Sequence, residues 1–383
     1  MPKDAPDVLV VNAGSSSLKV GRRPSGAAVL VERIGEPGQA ADHFEAMQQA
    51  KQRLTALAGA APLDGVVVVA HRMVHGGERY THPTIVDDAV VADLEALVPL
   101  APLHNPANLA ALRAARAALS DVPHVAVFDT AFHATMPPHA YRYAVPEAWY
   151  RDHGVRRYGF HGPSHDGVTQ RAAALLGRPR EALRIVSLHL GNGASAAAVD
   201  RGRSVETTMG FTPIDGLIMG TRSGSLDPGV LLHLLRLGYP AEELDRALNR
   251  ASGLLGLSGR SNDVRDLRAA EDEGDERAAL ALHAFAYRAR LAIGSLAFAM
   301  GGLDAIVFTG GIGEHDPRTR RAVLEGLGDF GIELDDAANE AHAARIDRGG
   351  AVAVLVVSTD EEGVMADAAV RALADAAAAR RDA

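Results

Sequence analysis

The chain has 383 residues, no cysteine, and 39 Lys+Arg against 48 Asp+Glu, a formal charge of −9. That length suits about two domains, each able to bury its own core. Lack of cysteine excludes disulfides, thiolate metal sites and thiol nucleophiles, and the acidic balance argues against a chain built to grip nucleic acid.

The N-terminal stretch MPKDAPDVLVVNAGSSS carries Asp4 and Asp7 and has no basic-then-apolar leader pattern, so a cytoplasmic protein is the expectation. Short β-branched runs then recur, each stopping at small or polar residues. VLVV at 8–11 meets NAGSSS, GVVVVAHRMV at 65–74 meets HGGE, and HVAVFDTAFH at 124–133 passes through Asp129. RIVSLHLGNGAS at 184–195 meets Asn192, DAIVFTGGIGE at 304–314 meets a glycine cluster, and AVAVLVVSTDEE at 351–362 meets an acidic turn. Apolar runs of this length fit strands buried on both faces. Between them, 88–97, 106–119, 165–176 and 276–300 have helical period, and the alanine-rich end from about Gly363 reads as a last helix. Alternating strands and helices indicate an α/β fold. The apolar stretch 291–308 is broken by glycines and Asp304, so it reads as a helix and then a strand, not a membrane span.

VLVVNAGSSSLKV echoes RIVSLHLGNGASAAAV, which suggests two related halves aligned on Asn12 and Asn192. Chance likeness of two glycine-rich hairpins would look similar.

Three glycine-rich turns, NAGSSS, HLGNGAS and FTGGIGE, directly follow strands. Backbone N–H groups of such turns can cradle phosphate, and glycine allows close approach. One such turn alone could be ordinary; three together favour a phosphate site. No G-x-x-x-x-G-K-[ST] loop occurs. Gly191-x-Gly193-x-x-Ala196 matches a dinucleotide fingerprint only formally, because a polar hairpin follows. No G-x-S-x-G elbow is present. His161 and His165 lack the Glu of a zinc-binding H-E-x-x-H, and Gly162-Pro163 argues against a regular helix there.

Arg72 in AHRMVHGGE and Arg222 in MGTRSGSLDPG sit among small residues, where a guanidinium fork suits a carboxylate or phosphoryl group better than a solvated face does. Asp129 is either a turn cap or a carboxylate that orients a nucleophile or metal water. Asp360, Glu361 and Glu362 form an acidic cluster that suits Mg²⁺ with substrate phosphates, or a charged helix start.

NAGSSSLK, HRMVHGGE, APLHNP, FDTAFH, YGFHGPSH, HLGNGAS, MGFTPIDGLIMGTRSG, SNDVRDL, FTGGIGE and the terminal DEE, in that order, resemble the acetate kinase family of carboxylate phosphotransferases. The resemblance implies a duplicated actin-like ATPase (ribonuclease H-like) α/β fold with ATP in the cleft. It implies an N-terminal domain of 1–132 with 364–383 and a C-terminal nucleotide-binding domain of 133–363. It further implies that Arg72, Arg222, Asp129 and His161 handle the acyl carboxylate and the phosphoryl group. Lys19, His189, Leu190, Gly191, Asn192, Gly193, Asp263, Val264, Arg265, Gly310, Gly311, Ile312 and Gly313 would contact ATP or ADP. Arg72, Val74, Leu103, His104, Phe160 and Pro213 would form the acyl pocket. Asn12 and a terminal-cluster glutamate, Glu361 in first place, would serve Mg²⁺, with Mn²⁺ as an alternative. The implied reaction is reversible transfer of the ATP γ-phosphoryl to acetate, giving acetyl phosphate and ADP, by a homodimer with neither nucleic-acid nor membrane partners. A propionate kinase and a non-catalytic actin-like nucleotide switch are the alternatives. The 12–72 segment is short for the family, and His315 and Asp360 stand where Asn is common.

Overall fold

The computed structural model describes residues 6–14, 16–58, 63 and 65–381, apart from the side chain at 380. Ser15 of the NAGSSS turn and Asp4 lie outside the described residues. The chain divides into two compact units, Met1–Ala134 with Asp360–Ala383, and Thr135–Thr359.

In the first unit the apolar runs become a six-stranded mixed sheet of β1 (Asp7–Ala13), β2 (Ser17–Arg23), β3 (Ala28–Glu32), β4 (Val66–Met73), β5 (Thr84–Ile85) and β6 (His124–Phe128). The spatial order is β3-β2-β1-β4-β6-β5. β1 pairs antiparallel with β2 and parallel with β4, which is parallel to β6. Period-two alternation sends the β1 side chains to opposite faces. Leu9 and Val11 pack with Met47 and Leu54 of helix His43–Ala58 and with Ala111 and Ala115 of helix Asn105–Ala118. Val8 and Val10 pack with Met365, Ala366 and Ala369 of the last helix, Glu361–Arg381. A sheet covered on both faces explains why its strands read as unbroken apolar runs.

The second unit repeats this plan. β7 (Arg184–Leu190), β8 (Ala194–Asp200), β9 (Arg203–Thr207), β10 (Ala305–Thr309) and β11 (Ala353–Val356) form a sheet of order β11-β10-β7-β8-β9. β7 is antiparallel to β8 and parallel to β10, as β1 is to β2 and β4. Helices Gly162–Leu176 and Glu276–Ala299 pack on this sheet. The duplicated α/β architecture is therefore visible in strand order and direction, not only in the sequence echo.

Three expectations need correction. Asn12 is the penultimate residue of β1, and its counterpart, the penultimate residue of β7, is His189. Asn192 instead occupies the turn between β7 and β8, so aligning the halves on the two asparagines shifts them against the strands. Secondly, a regular helix does begin at Gly162, with Pro163 in its first turn and His161 before it. The first turn has N–H groups without intrahelical partners, so proline costs nothing there. Thirdly, FTGGIGE is less a turn than a helix start, since Gly310–His315 is already helical. The last helix likewise starts at Glu361, putting Glu361 and Glu362 in its first turn, where negative charge complements the helix dipole.

Candidate active site

The expected site residues form one cluster in each unit. In the first unit, β4 and β6 run side by side, with Arg72 opposite Val127 and Met73 opposite Phe128. Asp129 follows β6 directly, and its backbone N–H donates to the Met73 carbonyl at 2.9 Å. This register brings Arg72 and Asp129 together in a two-pronged pair, with Nε to Oδ1 at 2.9 Å and Nη2 to Oδ2 at 2.7 Å. Arg72 Nη1 lies 3.8 Å from a carboxylate oxygen of Glu361. Burial raises the Asp129 carboxyl above its usual range, and Arg72 offsets only part of that rise. Burial opposes the Arg72 charge too, but Asp129 and then Glu361 more than restore it, holding the guanidinium cationic. The two charge-assisted bonds to Asp129 occupy a single edge of the guanidinium.

The acidic cluster sorts itself by partner. Lys19 Nζ meets Glu362 at 2.5 Å and Arg23 meets Asp360 at 2.7 Å, both cations projecting from β2. Glu361 is the member turned toward Arg72. Lys19, expected at the nucleotide, is therefore engaged within the first unit, across from Asn12 in the β1–β2 pairing. Among the described residues no group of three or more His, Asp or Glu is arranged to hold a metal by itself. Asn12 and Glu361 are nonetheless hard oxygen donors of the sort that Mg²⁺ takes in small number beside substrate phosphates.

Sequence reasoning missed two residues here. Asn108 Oδ1 accepts from the Val74 N–H at 3.0 Å and its Nδ2 donates to the Ala13 carbonyl at 2.8 Å, tying the ends of β1 and β4. Asn105 Oδ1 accepts from the His75 N–H at 3.2 Å. The signal was present in HNPAN, where buried asparagines start a helix, but only the fold shows what they hold.

In the second unit, the turn between β7 and β8 is closed by the Gly191 N–H donating to the Gly193 carbonyl at 3.0 Å. A side chain at Gly193 would lie 3.2 Å from Arg222 Nη2 and 3.4 Å from His161 Nε2, so both groups converge on this bare backbone. Arg222 is steadied by Nη1 donating to the Pro213 carbonyl at 2.9 Å. His161 holds a left-handed backbone, φ 58°, immediately before its helix. Its ring stacks on His189 at 4.3 Å between centroids, and His189 Nδ1 lies 2.8 Å from Ser164 Oγ. Asn192 is tied by its side-chain oxygen to Asn262 Nδ2 at 2.9 Å and by its carbonyl to the Gly220 N–H at 2.9 Å.

A cavity of about 600 Å³ adjoins this turn, lined by the expected Gly191, Asn192, Asp263, Val264, Arg265, Gly311 and Ile312. Asn262, His315 and Asp316 also line it and were not foreseen in that role. Asp263 caps helix Val264–Asp272 by accepting from the Arg265 N–H at 2.8 Å. Gly310 and Gly313 are buried behind Gly311 and Ile312, with the Gly310 N–H donating to Glu314 at 3.0 Å. Leu190 is fully buried. The expected acyl-pocket residues divide as well. Val74, Leu103 and His104 belong to the first unit, with Val74 buried and Leu103 exposed, while Phe160, which is buried, and Pro213, which is half-buried, belong to the second.

Comparison with known proteins points one way. Residues 27–367 match the model of the Acetokinase family. A protein named acetate kinase from Leifsonia xyli subsp. xyli is 49% identical over 393 aligned residues, covering 96% of this chain and 99% of its own. The crystal structure of Porphyromonas gingivalis acetate kinase has 40% identity and a TM-score of 0.89, covering 96% of this chain and 100% of that one. That of a propionate kinase from Francisella tularensis subsp. tularensis has 33% identity, a TM-score of 0.91 and the same coverage.

Proposed function

The chain belongs to the acetokinase family, and from that premise we propose that it is an acetate kinase, moving the ATP γ-phosphoryl reversibly to acetate. The observation that carries this reading is the convergence of Arg222 and His161 on Gly193, in the turn whose Gly191 and Asn192 line the adjoining cavity. A cation, an imidazole and open backbone beside a nucleotide-sized cavity are what a transferring phosphoryl group requires.

In the proposed reaction an acetate oxygen attacks the γ-phosphorus, the bond to the β–γ bridging oxygen breaks, and ADP departs with that electron pair. Acetate is already an anion, so no base has to remove a proton. The protein's contribution is positioning and charge neutralisation. Arg72, oriented by Asp129, would hold the acceptor carboxylate through its remaining Nη1 edge. Arg222 and His161 would meet the charge on the equatorial oxygens. The cavity of the second unit would take the adenosine end of ATP or ADP. Asn12 and Glu361 would hold Mg²⁺, or Mn²⁺ in its place, which supplies neutralisation of phosphate charge when bound.

The test is hydroxylamine trapping of acyl phosphate from ATP with acetate, propionate or butyrate, with and without Mg²⁺. Mg²⁺-dependent hydroxamate with the highest kcat/KM for acetate is expected. One methylene discriminates only about 10–200-fold in an apolar pocket, so propionate should react more slowly, not fail. A propionate optimum would make the chain a propionate kinase. ATP binding without product would favour a nucleotide switch.

A homodimer belongs to the same reading. Val230, Leu232, Leu235, Leu237 and Tyr239 are exposed on and just after helix Pro228–Arg236, and Leu280, Tyr287, Leu291 and Phe298 are exposed at helical spacing along Glu276–Ala299. Apolar exposure on that scale favours a covering partner. Light scattering should give twice the chain mass, and Leu232→Glu with Leu235→Glu should shift it toward one. A cytoplasmic site of action completes the reading; among the described residues no helix is long and apolar enough to cross a membrane.

A further inference from the structure

Behind His161 runs a buried chain of two hydroxyls and a second imidazole. His161 Nδ1 is 2.9 Å from Ser195 Oγ, which is 2.8 Å from His165 Nε2. His165 Nδ1 is in turn 3.0 Å from Ser187 Oγ. Ser187, Ser195 and His165 are all 0% exposed. The sheet explains the alignment. Ser187 and His189 are two apart on β7, and Ser195 is the direct partner of His189 on β8, so all three project from one face. His165 comes from helix Gly162–Leu176, one turn after His161.

Proton counting gives this chain a direction. Ser195 has one hydroxyl proton, and its two contacts with imidazole nitrogens need two. One of those nitrogens must therefore bring its own. Two arrangements meet the requirement with the Ser195 hydroxyl proton donated inside the chain. In the first, His165 carries its proton on Nε2 and donates to Ser195, Ser195 donates to His161 Nδ1, and Ser187 donates to the bare His165 Nδ1. A neutral His161 then carries its proton on Nε2, the edge that faces Gly193. In the second, every bond is reversed, His161 is protonated on Nδ1, and a neutral ring turns a lone pair toward Gly193. Phosphoryl oxygens accept hydrogen bonds and do not donate them, so only the first arrangement serves a neutral imidazole beside a transferring phosphoryl group.

We propose that Ser195 is a positioning residue that donates to His161 Nδ1, and that His165, set by Ser187, fixes that direction, so that His161 presents Nε2–H to the phosphoryl group. This rests on the functional reading above for what His161 does. Neither serine nor His165 meets the substrate. They act by fixing which nitrogen of His161 bears the proton, as orienting partners of catalytic histidines do.

The test joins a spectroscopic and a kinetic arm. In protein with ¹⁵N-labelled histidine, two-bond ¹⁵N–¹H correlation at pH 8 reads the tautomer of His161, whose signals are assigned by their loss in His161→Gln. The wild type should show a proton on Nε2 and a bare Nδ1. In Ser195→Ala the preference should collapse toward a mixture. Its kcat should fall about tenfold, on the scale of one hydrogen bond, with KM for ATP and acetate within about twofold. Ser187→Ala, one link further back, should move both readouts the same way by less, and it serves if Ser195→Ala does not fold. A wild-type proton on Nδ1, or a Ser195→Ala variant with unchanged tautomer and kcat, overturns the proposal. If the wild type makes no acyl phosphate, the functional reading fails, while the tautomer still decides the role of Ser195.

Discussion

Arg222 and Asp129 carry the sharpest consequences for single side chains. Arg222 contributes one of two groups that converge on Gly193. Replacing it with alanine should lower kcat at least about a hundredfold, the cost of one preorganised donor to transition-state charge. Near-normal turnover in a folded Arg222→Ala protein would remove Arg222 from the mechanism. Asp129 works differently, because its two bonds to Arg72 leave one guanidinium edge for a substrate. Asp129→Asn preserves the shape but presents an amide N–H₂ to a donor and removes a charge from a buried pair. Activity should fall by a similar factor, while circular dichroism stays unchanged. A fully active Asp129→Asn variant would reduce Asp129 to the strand-end cap that its sequence context also allowed. Asp129 was legible as a candidate because a charge stood where an apolar strand ended, and Arg222 because it stood in a loop of small residues. The pairing of Arg72 with Asp129 was not, since it depends on β4 and β6 being neighbours in register.

At the scale of elements, the sequence disclosed most strands and long helices, because sheets covered on both faces demand unbroken apolar runs. It misjudged where two helices begin. Pro163 looked like a helix breaker, yet it stands in the first turn, where its missing N–H is not needed. The glycines of FTGGIGE looked like a loop, yet only Gly310 needs their freedom, with φ +77° as β10 gives way to helix Gly310–His315. A side chain at Gly310 would come within 2.7 Å of the Leu190 carbonyl oxygen, at the mouth of the neighbouring glycine turn. Gly310→Ala should therefore cost about 1–3 kcal/mol from the backbone conformation alone, with more from the contact. Thermal unfolding should shift down by several degrees, and KM for ATP should rise because Gly311 and Ile312 line the cavity. Gly311→Ala provides the control for stability, since a side chain there meets nothing within 4 Å. Equal losses of melting temperature from the two substitutions would refute the geometric argument. The serine–histidine chain behind His161 was illegible for a related reason. Ser187 and Ser195 look like ordinary small strand residues until the β7–β8 register sets both on the face that meets His165.

For the molecule as a whole, buried histidines set the response to acid. His71 and His124 stack with 5.1 Å between ring centroids and share a 2.8 Å contact between Nε2 and Nδ1. Burial lowers both, His71 well below its usual 6.5, and His124 adds to the effect on His71. Burial likewise brings His75 down to about 4. All three belong to the first unit. Each holds a proton less readily folded than unfolded, so unfolding takes up protons once the pH is below about 6.5. In that window the unfolded chain binds more protons, so stability falls as the pH falls. At about 1.4 kcal/mol per pKa unit, His75 alone withdraws about 3 kcal/mol by pH 4, beyond which its contribution stops changing. Carboxylates held low, such as Asp304 and Asp347 with their arginine and backbone partners, begin to lose their contribution only near 3.8. Acid loss between pH 6.5 and 4.5 is therefore assigned to the histidines. Melting temperature should hold nearly level from pH 7.5 to about 6.5 and then decline to pH 4.5, and His75→Gln should flatten that decline without abolishing it, because His71 and His124 remain. A melting temperature independent of pH across this window would mean that the first unit opens to solvate these rings without unfolding.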